Sequence, residues 1–410
     1  MFYYSVVFFL FNFTKWIQIE TLVMTNILNT YPRSNLTFSH GEGSYLIELN
    51  GDKYLDFGAG IAVNSLGYSH PILNNALTEQ AKKLWHVSNV YNIPEQETLA
   101  KKLCELSFAD YVFFCNSGTE SIEAAIKIAR RYFYITEESK TKNKIISFSG
   151  SFHGRTLGAL AAGGPSKLEG FNSSIEGFVN LPFGDHEELE KSIDENVAAI
   201  LIEPIQGEGG VSEVPTHCLE SIRKICDEKN ILLIFDEVQC GIGRSGKMFA
   251  HQWSKVVPDI MTIAKALGNG FPIGACLTTK RVGDTMGHGT HGSTFGGNPL
   301  ACSVGCSVLD LMNNEFFSNL NKTSTFLINE LNNIINDFPE IISEVRGKGL
   351  MLGIKCKVEN TKFVDEARKN KMLTIKASDN VVRLLPPLNI SIKDCESALS
   401  IIRKVCKNLS

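Results

Sequence analysis

The segment Ile231-Leu-Leu-Ile-Phe-Asp236-Glu-Val-Gln239 runs from unbroken apolar residues straight into acids. An apolar run with no polar alternation reads as a strand buried on both faces, the kind that parallel sheets contain. In an open parallel sheet, ligands lie just beyond the carboxyl ends of the strands. A carboxylate at Asp236 is therefore placed to meet one. Taken alone, a strand-end Asp is by default a helix cap or a surface acid.

A second stretch repeats the pattern with the opposite charge. Asp259-Ile-Met-Thr-Ile-Ala-Lys265-Ala-Leu-Gly-Asn-Gly270 delivers a lysine at the end of an apolar run and then breaks into glycines. Burying an ammonium is costly, and desolvation favours the neutral amine, the form that attacks a carbonyl. By itself such a lysine is more often structural than catalytic. Further short apolar runs at 111–115, 145–148, 198–203 and 273–278, with helical patterns between them, complete the set expected of a mostly parallel sheet. The expected class is α/β, with a large sheet domain carrying helices on both faces and a smaller α+β C-terminal domain. In the latter, 349–355 and 381–385 read as strands, and an amphipathic helix starts at Ser391. Assigned by residue, 1–24 is an extension, 25–60 an arm, 61–300 the large domain and 301–410 the small one.

A third element, Cys115-Asn116-Ser117-Gly118-Thr119-Glu120, joins the first run to a helical pattern. Small hydroxyl residues and a glycine at a helix start leave N–H groups and the helix dipole facing an anion. An ordinary N-cap gives the same pattern. The three elements together are more specific than any one. A phosphate cradle, a strand-end Asp and a strand-end Lys are the needs of pyridoxal phosphate, which requires an anchor, a partner for its pyridine nitrogen and an amine. No GxxxxGK[ST] occurs, and no GxGxxG opens a helix after a strand, so nucleotide motifs offer no rival.

Composition narrows the partners. A formal net charge of −4 leaves no basic surplus for a nucleic acid, and lysines and arginines form no long run. The 11 cysteines include no CxxC pair. Cys302 and Cys306, one turn apart, read as buried thiols rather than as a metal pair, because no third ligand lies near. No metal is expected, and unpaired thiols suit a cytoplasmic location. The apolar run from Met1 to Phe13 is shorter than the roughly 20 residues of a membrane helix and lacks the flanks of a signal peptide. Met24 is expected to be the first translated residue.

With these elements in place, the chain resembles the class III (ornithine-type) aminotransferases of fold type I from Thr25 to Leu409. The blocks that carry the likeness include Phe114-Cys-Asn-Ser-Gly-Thr119, Ser151-Phe-His-Gly-Arg-Thr-Leu-Gly158, Ile202-Glu-Pro-Ile-Gln-Gly-Glu-Gly-Gly210, Phe235-Asp-Glu-Val-Gln239, Ala264-Lys-Ala-Leu-Gly268 and Ser293-Thr-Phe-Gly-Gly-Asn-Pro-Leu300. The resemblance implies pyridoxal 5′-phosphate with Lys265 as Schiff-base lysine and Asp236 as pyridinium partner. It implies Ser117, Gly118 and Thr119 at the phosphate, Phe152 and Val238 on the two ring faces, and Gln239 at the ring hydroxyl. On residue type alone, Phe152 and Val238 could be core and Gln239 a surface amide. Thr294, with Ser293 beside it, matches the residue that reaches the phosphate from the other subunit, which implies a homodimer with shared active sites.

For substrate, the resemblance implies that Arg383 binds the α-carboxylate and pairs with Glu208 in the empty pocket. Arg155 takes a second carboxylate, and Glu203 is a further site acid. Either arginine could instead be held by a structural carboxylate. The implied reaction moves the ω-amino group of N-acetylornithine to 2-oxoglutarate. Ornithine, succinylornithine and succinyldiaminopimelate are alternative donors, and a non-catalytic cofactor-binding protein is an alternative of another class. Thr119-Glu120-Ser121 departs from the Ala-Glu-Ala common in the acetylornithine subgroup.

Overall fold

The computed structural model describes residues 26–171 and 175–410; Met24 and the apolar run before it lie outside them. Residues 26–37 contain no helix or strand, and residues 38–410 form one compact unit. Its centre is a seven-stranded sheet in the order Tyr111–Cys115, Gly274–Thr278, Ile260–Ile263, Leu232–Asp236, Val197–Ile202, Lys144–Phe148, Phe178–Leu181. Four adjacent pairings are parallel. Gly274–Thr278 runs antiparallel to both neighbours. The connection from Ile263 to Gly274 holds only a short 3₁₀ turn at Lys265–Leu267, too little for the crossover that a parallel return needs.

Every residue of Val197–Ile202 and Leu232–Asp236 is buried, which requires cover on both faces of the sheet. One face is covered by the helix Gly118–Thr136, which buries Ile122, Ile126, Ala129 and Phe133 along one stripe and packs over Ile260–Ile263 and Gly274–Thr278. The helix Thr216–Glu228 packs against Leu232–Asp236 through Cys218, Leu219, Ile222 and Cys226.

A second, antiparallel sheet is ordered Ile342–Lys348, Met351–Cys356, Val381–Leu384, Ile375–Lys376, and is flanked by Asn314–Asp337, Asn360–Lys369 and Ile392–Leu409. Ser391 caps the last helix by accepting from Asp394 N–H. The N-terminal meander Phe38–Glu42, Tyr45–Glu48, Lys53–Asp56 takes its fourth strand, Met372–Leu373, from the far end of the chain. Past this meander, Ala59, Gly60, Ile61 and Ala62 all have positive φ, between 45° and 65°. Such a left-handed turn is costly for L-residues, more so for β-branched Ile61. It ends at Val63, which lines the main cavity. Among the described residues no helix is long and apolar enough to cross a membrane, and all eleven cysteines are unpaired.

Candidate active site

Beyond the carboxyl ends of the strands lies a cavity of about 350 Å3. Its lining brings together Ser117, Gly118, Thr119, Phe152, Arg155, Glu203, Asp236, Val238, Gln239 and Lys265. These residues are spread over 149 positions of sequence, from 117 to 265, and meet because each ends a strand or comes after the end of one.

Ser117 caps the helix Gly118–Thr136, its Oγ accepting from Glu120 N–H at 3.3 Å, so the first turn presents free N–H groups to the cavity. Gly118 is there for space: a Cβ at this position would stand 2.6 Å from Val238 Cγ1. The Thr119 hydroxyl accepts from the N–H groups of Arg155 (3.2 Å) and Thr156 (3.3 Å), which ties the loop carrying Arg155 to the helix start. That contact gives the Thr119 departure a physical role. Gly154, at φ +132°, passes so near that its Cβ would meet Thr119 Oγ1.

Asp236 is buried. Its Oδ2 lies 2.7 Å from His153 Nδ1, and its Oδ1 accepts from Val238 N–H (3.0 Å) and Thr262 Oγ1 (3.3 Å). The reading of the sequence did not assign His153. Its signal was its place between Phe152 and Arg155, inside a block already singled out. Val63, Asn116 and the segment Gly270-Phe271-Pro272-Ile273 also line the cavity without having been assigned.

Lys265 stands two residues past the end of its strand, Ile260–Ile263, at φ +41°, a conformation a lysine seldom adopts and one that concentrates at functional sites. Its amine makes no hydrogen bond among the described residues. Burial, and then the charge of Arg383, pull its pKa down to about 8. Glu203 accepts from Phe152 N–H (2.8 Å) and Gly207 N–H (3.1 Å). Burial, reinforced by the charge of Asp236, raises its pKa.

Arg383 sits in the middle of Val381–Leu384 and is 2% exposed. It donates to Glu208 Oε2 at 3.0 Å, to Gln239 Oε1 at 3.2 Å and to the Lys376 carbonyl at 3.2 Å. Gln239 is therefore a buried link between the cavity and Arg383, not a surface amide. Phe152 and Val238 are only half-buried and face the cavity, so neither is core. Arg155 is exposed at the mouth, its guanidinium 5.3 Å from the Phe152 ring centre. Ser293 and Thr294 stand apart. They line a neighbouring cavity, where Ser293 Oγ accepts from Asn116 Nδ2 at 3.2 Å and Thr294 is exposed.

The family model for class III aminotransferases matches residues 29–406. The chain belongs to the class III aminotransferases. Among relatives, the acetylornithine aminotransferase of Mesorhizobium japonicum is 51% identical, over 94% of this chain and 96% of its own. Of solved structures, the N-acetylornithine aminotransferase of Stenotrophomonas maltophilia matches with a TM-score of 0.81 and 37% identity, over 92% of this chain and 97% of that one. The ornithine aminotransferase of Toxoplasma gondii matches with a TM-score of 0.89 and 31% identity, over 94% and 93%.

As a class III aminotransferase the chain is a pyridoxal-phosphate enzyme, and the residues present fit that group. A helix start with free N–H groups suits the phosphate, a buried carboxylate with a 2.7 Å histidine partner suits the pyridine nitrogen, and an uncommitted amine suits the aldehyde. The depressed Lys265 pKa carries an expectation for the cofactor-free enzyme. Only the neutral amine attacks, so the rate at which added pyridoxal phosphate becomes covalently attached should rise about tenfold per pH unit and level off above about 8. An ordinary lysine would keep accelerating to about 10.5. Stopped-flow absorbance across pH 6 to 11 reads this directly. A plateau only above pH 10 would show that burial does not shift the amine.

Proposed function

We propose that this aminotransferase moves the ω-amino group of N-acetylornithine to 2-oxoglutarate, releasing N-acetylglutamate 5-semialdehyde and glutamate, in the cytoplasm. The observation that carries the reading is a pair of arginines, Arg155 in the lining of the cavity and Arg383 joined to that lining through Gln239. Arg383 is buried and held by Glu208, and Arg155 is exposed, with no salt bridge among the described residues. Two such groups suit a pocket that accepts a long ω-amino acid and a dicarboxylate in turn. The names of the relatives point to the same donor.

When bound, pyridoxal phosphate supplies an aldehyde that condenses with amines and a ring that draws electrons from the carbon next to the nitrogen. The chain's own residues do the rest. Ser117, Gly118 and Thr119 anchor the phosphate, and Asp236, oriented by His153, holds a negative charge at the pyridine nitrogen. Phe152 and Val238 bracket the ring. The Lys265 amine would carry the proton from Cδ of the amino donor to the cofactor's aldehyde carbon, and in the second half-reaction carry one the other way, to Cα of the glutamate that forms, when Arg383 and Arg155 hold the two carboxylates of 2-oxoglutarate.

The active enzyme is proposed to be a homodimer that shares its active sites. Thr294 lines a neighbouring cavity rather than the one that holds Lys265, as suits a residue serving the partner's phosphate. Around it, Trp85, Val90, Tyr91 and Phe295 are each more than half exposed, and Asn89 ties their two segments together through bonds to the Ser293 and Gly296 carbonyls. So much exposed apolar surface in one place suits burial against a second copy.

The test is the absorbance change of the purified enzyme with N-acetylornithine, ornithine, succinylornithine and γ-aminobutyrate added separately. Rapid conversion by N-acetylornithine at the lowest concentration is expected. If another amine wins, the donor is wrong and the class stands; a yellow protein inert to every amine would be a non-catalytic binder. Arg383→Ala is expected to lower kcat/KM about tenfold to a thousandfold, chiefly through KM, for both N-acetylornithine and 2-oxoglutarate. A loss confined to one substrate would show that the two carboxylates do not share Arg383.

A further inference from the structure

Near the amino ends of the central strands, away from the ends that carry the active site, lies a second cavity, of about 480 Å3. Lysines and arginines are scattered along the sequence, but folding gathers five of them here. Lys127, Arg130 and Arg131 share one face of the helix Gly118–Thr136, with Tyr134 one turn on, while Lys140 and Lys142 come from the following loop. No acid lines this cavity. The position is fixed by the amino ends of the strands. Lys142 stands two residues before Lys144–Phe148 and donates to the Asn230 carbonyl, and Arg130 donates to the carbonyl of Gly177, just before Phe178–Leu181.

A cationic helix face is usually no more than a solvated surface, so what neutralises the charges decides. Lys142 has Glu137 at 3.4 Å. Glu123, whose charge acts on Arg130, is already engaged by the Thr156 hydroxyl. Neither arginine makes a salt bridge among the described residues. Arg130 uses its Nε and Nη2 on backbone carbonyls, and Arg131 spends only Nε, on the Thr285 carbonyl at 2.9 Å. Lys127 lies 2.8 Å from His291 Nδ1, a partner that must be neutral to accept. Among the described residues, four of the five cations thus lack a carboxylate, in a chain whose net charge is −4.

We propose that this cavity binds a small, multiply charged phosphate anion, with the uncommitted N–H groups of Arg131 and Arg130 as its principal donors and Lys127 and Lys140 supplying charge. Guanidinium groups match phosphoryl oxygens in paired hydrogen bonds, and the surplus of charge exceeds what one carboxylate would neutralise. Free pyrophosphate and the phosphate chain of a nucleotide share this chemistry; the exposed Tyr134 ring is placed to stack a base in the second case.

The test is equilibrium dialysis of labelled pyrophosphate against the cofactor-loaded enzyme, in which the catalytic phosphate cradle is already filled. Binding near one per chain, weakened by added salt, is expected, with Arg131→Gln loosening it about tenfold or more. Arg131 makes a single backbone bond, so turnover at saturating substrate should stay unchanged and report an intact fold; Lys140→Gln on the loop serves if that variant misfolds. ADP binding that exceeds pyrophosphate binding and is lost in Tyr134→Leu would identify the nucleotide form. Absence of binding at about 1 mM overturns the proposal. So does binding that survives Arg131→Gln and Lys140→Gln but disappears in Arg383→Ala, since the anion would then be in the catalytic pocket.

Discussion

Lys265→Ala is expected to lower kcat by about ten-thousandfold or more while the protein keeps its cofactor and its stability. The residues assigned to anchor the phosphate and the ring lie on other segments, at Ser117–Thr119 and Asp236, and none depends on a hydrogen bond from the lysine. Cofactor should therefore survive gel filtration but leave on denaturation with no covalent link, and its visible band should shift to that of the free aldehyde. The stability half of the expectation comes from the pKa. A buried ammonium whose pKa falls to about 8 is a group that folding disfavours near neutral pH. Removing it relieves that cost, so the melting temperature of the cofactor-free variant should match or exceed that of the wild type. A residue kept for packing would behave in the opposite way, with stability falling first and activity after it. Turnover within a hundredfold of wild type, measured on protein free of wild-type contamination, would remove Lys265 from the chemistry.

What the sequence disclosed and what it hid divide along the range of the interaction. The buried strands were legible because burial on two faces leaves an unbroken apolar run, as in Leu232–Asp236, and because the acid or amine that ends the run is adjacent in sequence. Phe178–Leu181 was not, since this edge strand is half-buried and includes Asn180. Ile342–Lys348 shows no clean period, since the adjacent Ser343 and Glu344 are both exposed and the residues from Val345 on are half-buried, and Met372–Leu373 and Ile375–Lys376 are too short to show any period. The antiparallel turn of Gly274–Thr278 depended on the length of a connection rather than on the strand's own residues. In the cavity, the pairing of Arg383 with Glu208, 175 residues away, entered through resemblance; no local pattern contains it. His153 was hidden for the same reason, since its meaning comes from a carboxylate 83 residues on. The left-handed turn at Ala59–Ala62 gave no sign beyond Gly60, because three of its four residues are types that disfavour it.

Asp236→Asn should leave the fold in place and lower kcat about a thousandfold. The side chain is nearly isosteric, and the network can adapt to it. Asp236 accepts from Val238 N–H and Thr262 Oγ1 through one oxygen and meets His153 Nδ1 through the other. An asparagine keeps its oxygen on the first pair and turns its amide N–H toward His153. The ring then accepts at Nδ1 and carries its proton on Nε2, which has no partner among the described residues. Hydrogen bonding survives; the charge does not. Without it, the bound cofactor's pyridine nitrogen loses the anion that keeps it protonated, and the electron demand at the reacting carbon falls. Two neighbouring groups should register the same loss. Asp236 supports the protonated form of Lys265 and raises the pKa of Glu203, so in the variant the Lys265 pKa should fall further and that of Glu203 should drop back toward the ordinary carboxylate range. The levelling of cofactor attachment with pH should then move below 8. These three readouts separate the possible roles. Lost turnover with a shifted profile and an unchanged melting temperature is the signature of a charge acting on the chemistry. Full turnover with the same shift would leave Asp236 as no more than the buried counter-charge of Lys265.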